Sequence, residues 1–204
     1  MDDNKEKKEE LNGKLFLIVG PSGSGKGSVI SEIKRRYHGF VYPVSYTTRE
    51  IRAGEKNDQV YHFISKEEFK KRIANGEFLE YAIVHSDNYY GTDKKEIMEP
   101  LKGGAIVIRE VDIQGFFSIQ KQIPKENLVS IFMKVSDLND LKGRILRRGE
   151  ISENELKKRM DSALKEISQA EFCDYQVPNQ WGQMKQSVHE VEQIILSEIK
   201  KINY

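Results

Sequence analysis

From Leu15 to Tyr37 the chain reads LFLIVGPSGSGKGSVISEIKRRY. The run Leu15–Val19 is apolar and of strand length, while VISEIKRRY, Val29–Tyr37, carries its apolar residues at helical spacing. Between them lies a glycine-rich elbow: Gly20, Pro21, Ser22, Gly23, Ser24, Gly25, Lys26, Gly27 and Ser28. The spacing Gly20-x-x-x-x-Gly25-Lys26 lets successive backbone N–H groups curl around phosphate oxygens. A helix N-terminus stands behind them, and the Lys26 ammonium reaches the outer phosphates. A plain strand-to-helix turn needs one or two glycines and no lysine, so the elbow reads as a phosphate loop. The common motif continues with Ser or Thr directly after the lysine, as a magnesium ligand. Here Gly27 intervenes before Ser28, which points to magnesium held largely through waters.

Outward from the elbow, short apolar runs at Leu15–Val19, Ala105–Val111, Val129–Val135 and Tyr175–Val177 alternate with helical stretches: VISEIKRRY, KKEIMEPLK, FFSIQKQI and the closing MKQSVHEVEQIILSEIKKI. This rhythm predicts an α/β fold, a doubly wound parallel sheet with helices on both faces. Two stretches break it. Residues 45–92 hold short strand-like pieces and one helix, KEEFKKRIANG, with Ser65 as N-cap, Glu68 at the capping-box position and Gly76 as its C-terminal stop. This predicts an inserted α+β lobe. Residues 136–160 are almost wholly charged and read as helix, turn, helix projecting into solvent.

Composition narrows the function. With 204 residues one domain is expected, its core at 13–44, 93–135 and 161–204 and a flexible tail at 1–12. Lys plus Arg number 33 against 32 acidic residues, a net charge of +1, so no global field draws the chain to nucleic acid or an anionic membrane. The charged start MDDNKEKKEELNGK lacks a secretory signal's apolar stretch, and no run approaches the roughly 18 to 20 apolar residues that span a bilayer. A cytoplasmic protein is expected. The one cysteine, Cys173, reads as a partly buried bystander, and His38, His62, His85 and His189 lack metal or nucleophile spacing.

In SYTTREIRAGEKNDQVYHF, Arg49 and Arg52 stand three apart near Tyr61, two guanidinium forks and a phenol able to converge on one phosphate. On spacing alone a solvated loop explains them as well. At this stretch the chain resembles the guanylate kinases. The pattern S-x-T-T-R-x-x-R-x-G-E-x-x-x-x-x-Y-x-F is met by Ser45, Thr47, Thr48, Arg49, Arg52, Gly54, Glu55, Tyr61 and Phe63, and NGEFLEYA, NYYGT and EVDIQG follow in order. The resemblance runs from about Leu15 to the C-terminus.

The resemblance implies transfer of the γ-phosphate of ATP to GMP or dGMP, with Mg2+ as cofactor. It implies a GMP-binding lobe at residues 45–92 and a helical lid at 136–160. Arg49, Arg52, Tyr61 and Tyr90 match the holders of the GMP phosphate. Glu80 matches the carboxylate that accepts from guanine N1–H and the exocyclic amine, with Ser45 and Thr92 donating to O6. Adenine lacks that N1–H and carries an amine in place of O6, so it would leave these groups mispaired. Glu110 and Asp112 match acidic positions at a strand end beside the phosphate loop, Asp112 between the acceptor and the magnesium shell. Arg144, Arg148 and Arg159 match lid arginines that neutralise the transferring phosphoryl group, and Asn179 a residue near adenine. Metal contact, through water, falls to Ser28 or Asp112. Arg147 stands where the family commonly shows Gly, and the segment before NYYGT is one residue longer than usual.

Two rivals remain open at this level. One is a catalytically silent guanylate-kinase-like module that binds a protein partner in the acceptor cleft. The retained Lys26, Arg144, Arg148 and Arg159 speak against it. The other is a phosphate-loop kinase for another nucleotide, against which Glu80, Ser45 and Thr92 argue. Oligomeric state is not legible.

Overall fold

Lys14–Val19 form strand β1, with all six residues buried. The computed structural model describes residues 10–51, 54–58, 61–84, 88–135, 137–147 and 151–201. Along the chain, β1 leads into α1 (Lys26–Arg36), β2 (Ser45–Thr47), β3 (Tyr61–Phe63), α2 (Lys66–Ala74), β4 (Phe78–Val84) and β5 (Asn88–Asp93). There follow α3 (Lys94–Lys102), β6 (Ile106–Val111), α4 (Ile113–Gln120) and β7 (Leu128–Lys134). The chain then forms α5 (Leu138–Leu146), α6 (Glu153–Ile167), β8 (Tyr175–Pro178) and α7 (Met184–Lys200).

The main sheet has the order β6-β1-β7-β8, parallel throughout. Alternation along β1 sends Leu15, Leu17 and Val19 to one face, where they pack with Ile97 and Leu101 of α3 and Ile113, Phe116 and Ile119 of α4. Phe16 and Ile18 go to the other face, against Val29 and Ile33 of α1 and Val188, Val191 and Ile195 of α7. Helices therefore cover both faces, as the apolar rhythm predicted. Val41 adds a single parallel bridge to Val107 beyond β6. Burying four β1 side chains of Phe, Leu or Ile size contributes on the order of 6–12 kcal/mol before chain entropy is counted.

A second sheet, order β3-β2-β5-β4, is built from residues 45–93. Helix α2 beside it is capped as read from sequence: Ser65 Oγ accepts from Glu68 N at 3.1 Å, and Gly76 follows the last turn at φ +67°. The extra residue before NYYGT falls among 85–87, outside the described residues. On the near side of it, Tyr90 pairs with Ala82 and Thr92 with Glu80.

Two expectations need adjustment. The tail read as flexible through residue 12 is docked at its end: Asn12 N donates to Leu101 O at 3.1 Å, and buried Asn127 donates to Leu11 O at 2.8 Å. The charged stretch after Val135 does not simply project into solvent. Leu141 and Ile145 of α5 and Ala163 of α6 are buried together with Val135, while Ile151, Leu156 and Met160 pack around them. Helix α6 also runs unbroken across the boundary expected at residue 160.

Candidate functional site

The register of β1 and β6 pairs Val19 with Val111, so Gly20 and Asp112 leave the sheet side by side at the carboxyl ends of neighbouring strands. Ligands of open parallel sheets collect at such an edge. Gly23 and Gly25 turn the elbow at φ +88° and +95°, where a side chain would be strained. A Cβ on Gly25 would also lie 2.2 Å from Asn179 Nδ2. Lys26 opens α1 and donates to Gly20 O at 2.5 Å and Pro21 O at 3.1 Å, its ammonium folded over the loop. Ser24 is fully buried with its hydroxyl unpartnered, and Ser28 lies exposed on the first turn of α1.

A cavity of about 690 Å3 opens over this loop, with Gly20, Ser22, Gly23, Gly25, Lys26 and Gly27 on one wall. Tyr61, Glu110, Asp112, Gln114, Arg159 and Glu166 close the rest. Asp112 caps α4, accepting from Gly115 N at 2.7 Å through Oδ1. Arg159 is held by Glu155, four residues earlier on α6, at 2.8 Å. Burial pushes the Glu166 carboxyl up to about 7 against the pull of the Lys26 ammonium, and its Oε2 is buried without a hydrogen-bond partner.

The acceptor side opens beside it as a smaller hollow of about 160 Å3, lined by Lys26, Ser45, Tyr61, Glu80, Tyr90, Arg109, Glu110 and Asp112. Glu80 on β4 is pushed above the usual carboxylate range by burial, and the Thr92 hydroxyl donates to its Oε1 at 2.5 Å. A hydroxyl has one proton, so Thr92, fully buried, orients Glu80. It is not free to face an O6, as its pairing in the family pattern implied. The Ser45 hydroxyl accepts from Arg109 and keeps its own proton for a ligand.

Arg109 is the residue the sequence reading passed over. It is 7 % exposed in β6 and donates to Thr92 Oγ1 at 3.2 Å, Pro43 O at 2.8 Å and Ser45 Oγ, tying the second sheet to the first. The available signal was a lone arginine inside the apolar run IVIREV.

Arg49 forms a bidentate pair with Glu55, at 2.9 and 3.0 Å, and lies 5.3 Å from the centres of both the Tyr61 and Phe63 rings. The paired carboxylate holds its guanidinium pKa above the ordinary value. Tyr61 and Tyr90 meet edge to face at 5.6 Å. Arg52 and Arg148 lie outside the described residues.

The two expected lid arginines among the described residues, Arg144 and Arg159, do not share one place. Arg159 faces the main cavity, whereas Arg144 donates to Asn179 O at 2.8 Å and lines a separate cavity of about 280 Å3 with Gly23, Gly25, Ser28, Asn179 and Trp181. Asn179, 1 % exposed, gives its amide to Ser24 O at 2.7 Å and accepts from Ser187 Oγ at 3.2 Å, bracing the phosphate loop from behind. Cys173 is buried, its thiol pushed up to about 12, and no group of three or more His, Cys, Asp or Glu able to hold a metal occurs among the described residues. No helix there is long and apolar enough to cross a membrane.

The arrangement can hold a polyphosphate on main-chain amides and Lys26, and face it with a second anion site ending in a buried carboxylate. Comparison with known proteins agrees. The family model described as guanylate kinase matches residues 12–198. The chain is 38 % identical to a guanylate kinase of Carboxydothermus hydrogenoformans, covering 94 % of this chain and 93 % of that one. It is 41 % identical to one of Clostridioides difficile, covering 94 % and 91 %. Among solved structures, guanylate kinase from Anaplasma phagocytophilum superposes with a TM-score of 0.72 at 28 % identity, over 93 % of this chain and 87 % of that one. With its phosphate loop, its buried carboxylate and these likenesses over nearly its whole length, the chain belongs to the guanylate kinase family.

Proposed function

We propose that the chain transfers the γ-phosphate of ATP to GMP or dGMP, giving ADP and GDP, within a 45–92 lobe that binds the acceptor and a 136–160 arm that closes over the donor. The observation that carries this reading is the adjoining pair of hollows: Lys26, Tyr61, Glu110 and Asp112 border both. A donor phosphate on the loop and an acceptor phosphate beside Tyr61 would meet across those shared residues.

The N–H groups from Gly20 to Ser28 cradle the β- and γ-phosphates, and Lys26 exchanges its carbonyl contacts for phosphate oxygens. Arg49 and Arg52, with Tyr61 and Tyr90, hold the acceptor phosphate, and Glu55 fixes the Arg49 fork beforehand. Glu80 accepts from guanine N1–H and its amine while Ser45 donates to O6. AMP offers the opposite pattern and leaves a buried carboxylate unpaired. Arg159, with Arg144 and Arg148 of the same arm, neutralises charge spreading over the transferring group. Closure of lobe and arm excludes the water that would hydrolyse ATP.

The oxygens bordering the loop suit magnesium. Ser28, Glu110 and Asp112 supply a hydroxyl and carboxylates, hard donors without thiolate or imidazole, and their dispersal suits an ion that keeps its waters. Asp112, with Oδ1 committed to Gly115, would hold it through water by its second oxygen, and Ser28 likewise. Held there, magnesium would supply positive charge to offset that of the phosphates. The composition, with its net charge of +1, supports small-molecule substrates with no nucleic-acid partner, and the absence of a spanning helix among the described residues suits work in the cytoplasm.

The test is a coupled ADP-release assay offering GMP, dGMP, AMP, UMP and CMP in turn. GMP and dGMP should support turnover and AMP fall at least about a hundred-fold behind. AMP rivalling GMP, or no ADP released with either, overturns the reading.

A further inference from the structure

We propose that Trp181, backed by Arg147, holds the base of the phosphoryl donor by stacking, so that this chain reads the donor base by its flat face and accepts other purine triphosphates. This rests on the donor reading of the phosphate loop given above.

The cavity of about 280 Å3 beyond the loop shares Gly23 and Gly25 with the main one, so a nucleotide on the loop would extend its base there. What lines that space determines how a base could be recognised. Asn179, the amide expected near the base, lines this cavity but is 1 % exposed, with its Nδ2 turned to Ser24 O and its Oδ1 to Ser187 Oγ. Trp181 instead borders the cavity and is 48 % exposed, a large ring left in water at the mouth of a hollow.

That ring is held in place. The Arg147 guanidinium lies 4.3 Å and that of Arg144 5.7 Å from its centre. Arg144 also grips Asn179 O at 2.8 Å, and Trp181 N donates to Asp140 at 3.4 Å. Asp140, Arg144 and Arg147 stand at i, i+4 and i+7, the first two on one face of α5 and the third as the residue that caps its C-terminus. The opposite need of α5 is met by Leu141 and Ile145, which pack beside Gly23. The loop carrying Trp181 is thus fixed to the arm before any ligand arrives, and a preorganised aromatic loses little freedom on binding. Arg147, which departs from the family's common Gly, acquires a role on this reading.

Stacking on an aromatic is tolerant, because every base has a π-face, and it changes affinity by roughly five- to a hundred-fold per base. GTP should therefore serve as donor with kcat/KM within about ten-fold of ATP.

Trp181 is the chain's single tryptophan, so intrinsic fluorescence reports on it alone. The full chain is titrated with ATP, GTP, GMP and inorganic tripolyphosphate, in parallel with the turnover assay. ATP and GTP should quench, while tripolyphosphate, which fills the loop without a base, and GMP should not. Trp181→Ala should raise KM for ATP about ten-fold while KM for GMP stays within about two-fold, and Trp181→Phe should recover most of the loss. Trp181 is half-exposed, and circular dichroism confirms that each variant is folded. GDP formed without ATP quenching, tripolyphosphate quenching as ATP does, or an unchanged KM for ATP in Trp181→Ala overturns the stacking site. Quenching by ATP with no GDP formed upholds it and overturns the transfer reading instead.

Discussion

On the proposed function, the two halves of the cleft would hold their nucleotides by different means. On the donor side the contacts are main chain, given by positive-φ glycines between β1 and α1 and braced from behind by Asn179. On the acceptor side they are side chains on short strands, kept in place by other side chains: Arg109 to Ser45 and Thr92, Thr92 to Glu80, Glu55 to Arg49. A backbone cradle tolerates any nucleotide with the right phosphates. A relay of side chains can tell one base from another, and it fails when any member is removed.

The largest effect should come from the donor side. Lys26→Ala removes the one cation among the described residues that borders both hollows, and kcat should fall about a thousand-fold or more. GMP binding, measured by calorimetry without ATP, should persist. Loss of both together would erase the distinction between the halves.

Glu80→Gln tests the acceptor relay. It should lower kcat/KM for GMP by about a hundred-fold and leave KM for ATP nearly unchanged. Equal losses for both nucleotides would count against a guanine-facing carboxylate. The pKa of Glu80 is raised by burial, so the folded state holds this proton to higher pH than the unfolded chain. Its protonated form is the one that favours folding, and that contribution is lost as pH rises through the raised value. Above that raised value the ionised carboxylate costs the ligand-free protein stability, and there Glu80→Gln should raise the ligand-free Tm while it weakens GMP binding. In the wild type, kcat/KM for GMP should decline on the acid side from a higher pH than an ordinary glutamate would give. The Gln variant should lack that limb.

How much of this was legible follows from the same contrast. Features that depend on backbone could be read in the letters: a β-branched run, glycines at fixed offsets and a helical period together fix β1, the loop and α1. The Ser65 cap was legible for the same reason, being local. What escaped was the side-chain relay, which joins residues far apart in sequence. Arg109 meets Ser45 across 64 positions, and nothing near either residue announces the other. The Thr92 proton was assigned outward because sequence shows the hydroxyl but not which neighbour claims it. Asn179, expected near adenine, lines the cavity beside Trp181, but its brace behind the loop depends on Ser24, 155 positions away. Leu141 and Ile145 were hidden in a stretch whose charge dominated, although two apolar residues four apart were enough to seat α5 on the core.

A middle-sized effect probes the relay at its root. Arg109→Met keeps length and removes three hydrogen bonds, leaving Pro43 O and both hydroxyls without their partner. Stability should fall by about 2 kcal/mol, a Tm loss of roughly 4–8 °C for a domain of this size, and KM for GMP should rise about ten-fold. A Tm loss without any change in KM would make Arg109 a brace between sheets and nothing more.

The smallest effect sharpens the donor half. Gly25 and Gly27 stand two apart in the same loop and look equivalent in sequence, yet their surroundings differ. Gly25 has φ +95° and no room for a Cβ, which would lie 2.2 Å from Asn179 Nδ2. Gly27 sits inside α1, and an added Cβ would meet Glu110 Oε2 at 3.4 Å, an ordinary contact with the end of an exposed side chain. Gly25→Ala should therefore distort the cradle and sharply reduce turnover. Gly27→Ala should leave the Michaelis constants near wild type and, by trading glycine for a better helix former, change stability by no more than about 1 kcal/mol in the favourable direction. If the two alanines proved equally damaging, ATP must bring its phosphates against Gly27 as closely as against Gly25. The grip would then extend into the first turn of the helix, the position at which this loop departs from the common motif.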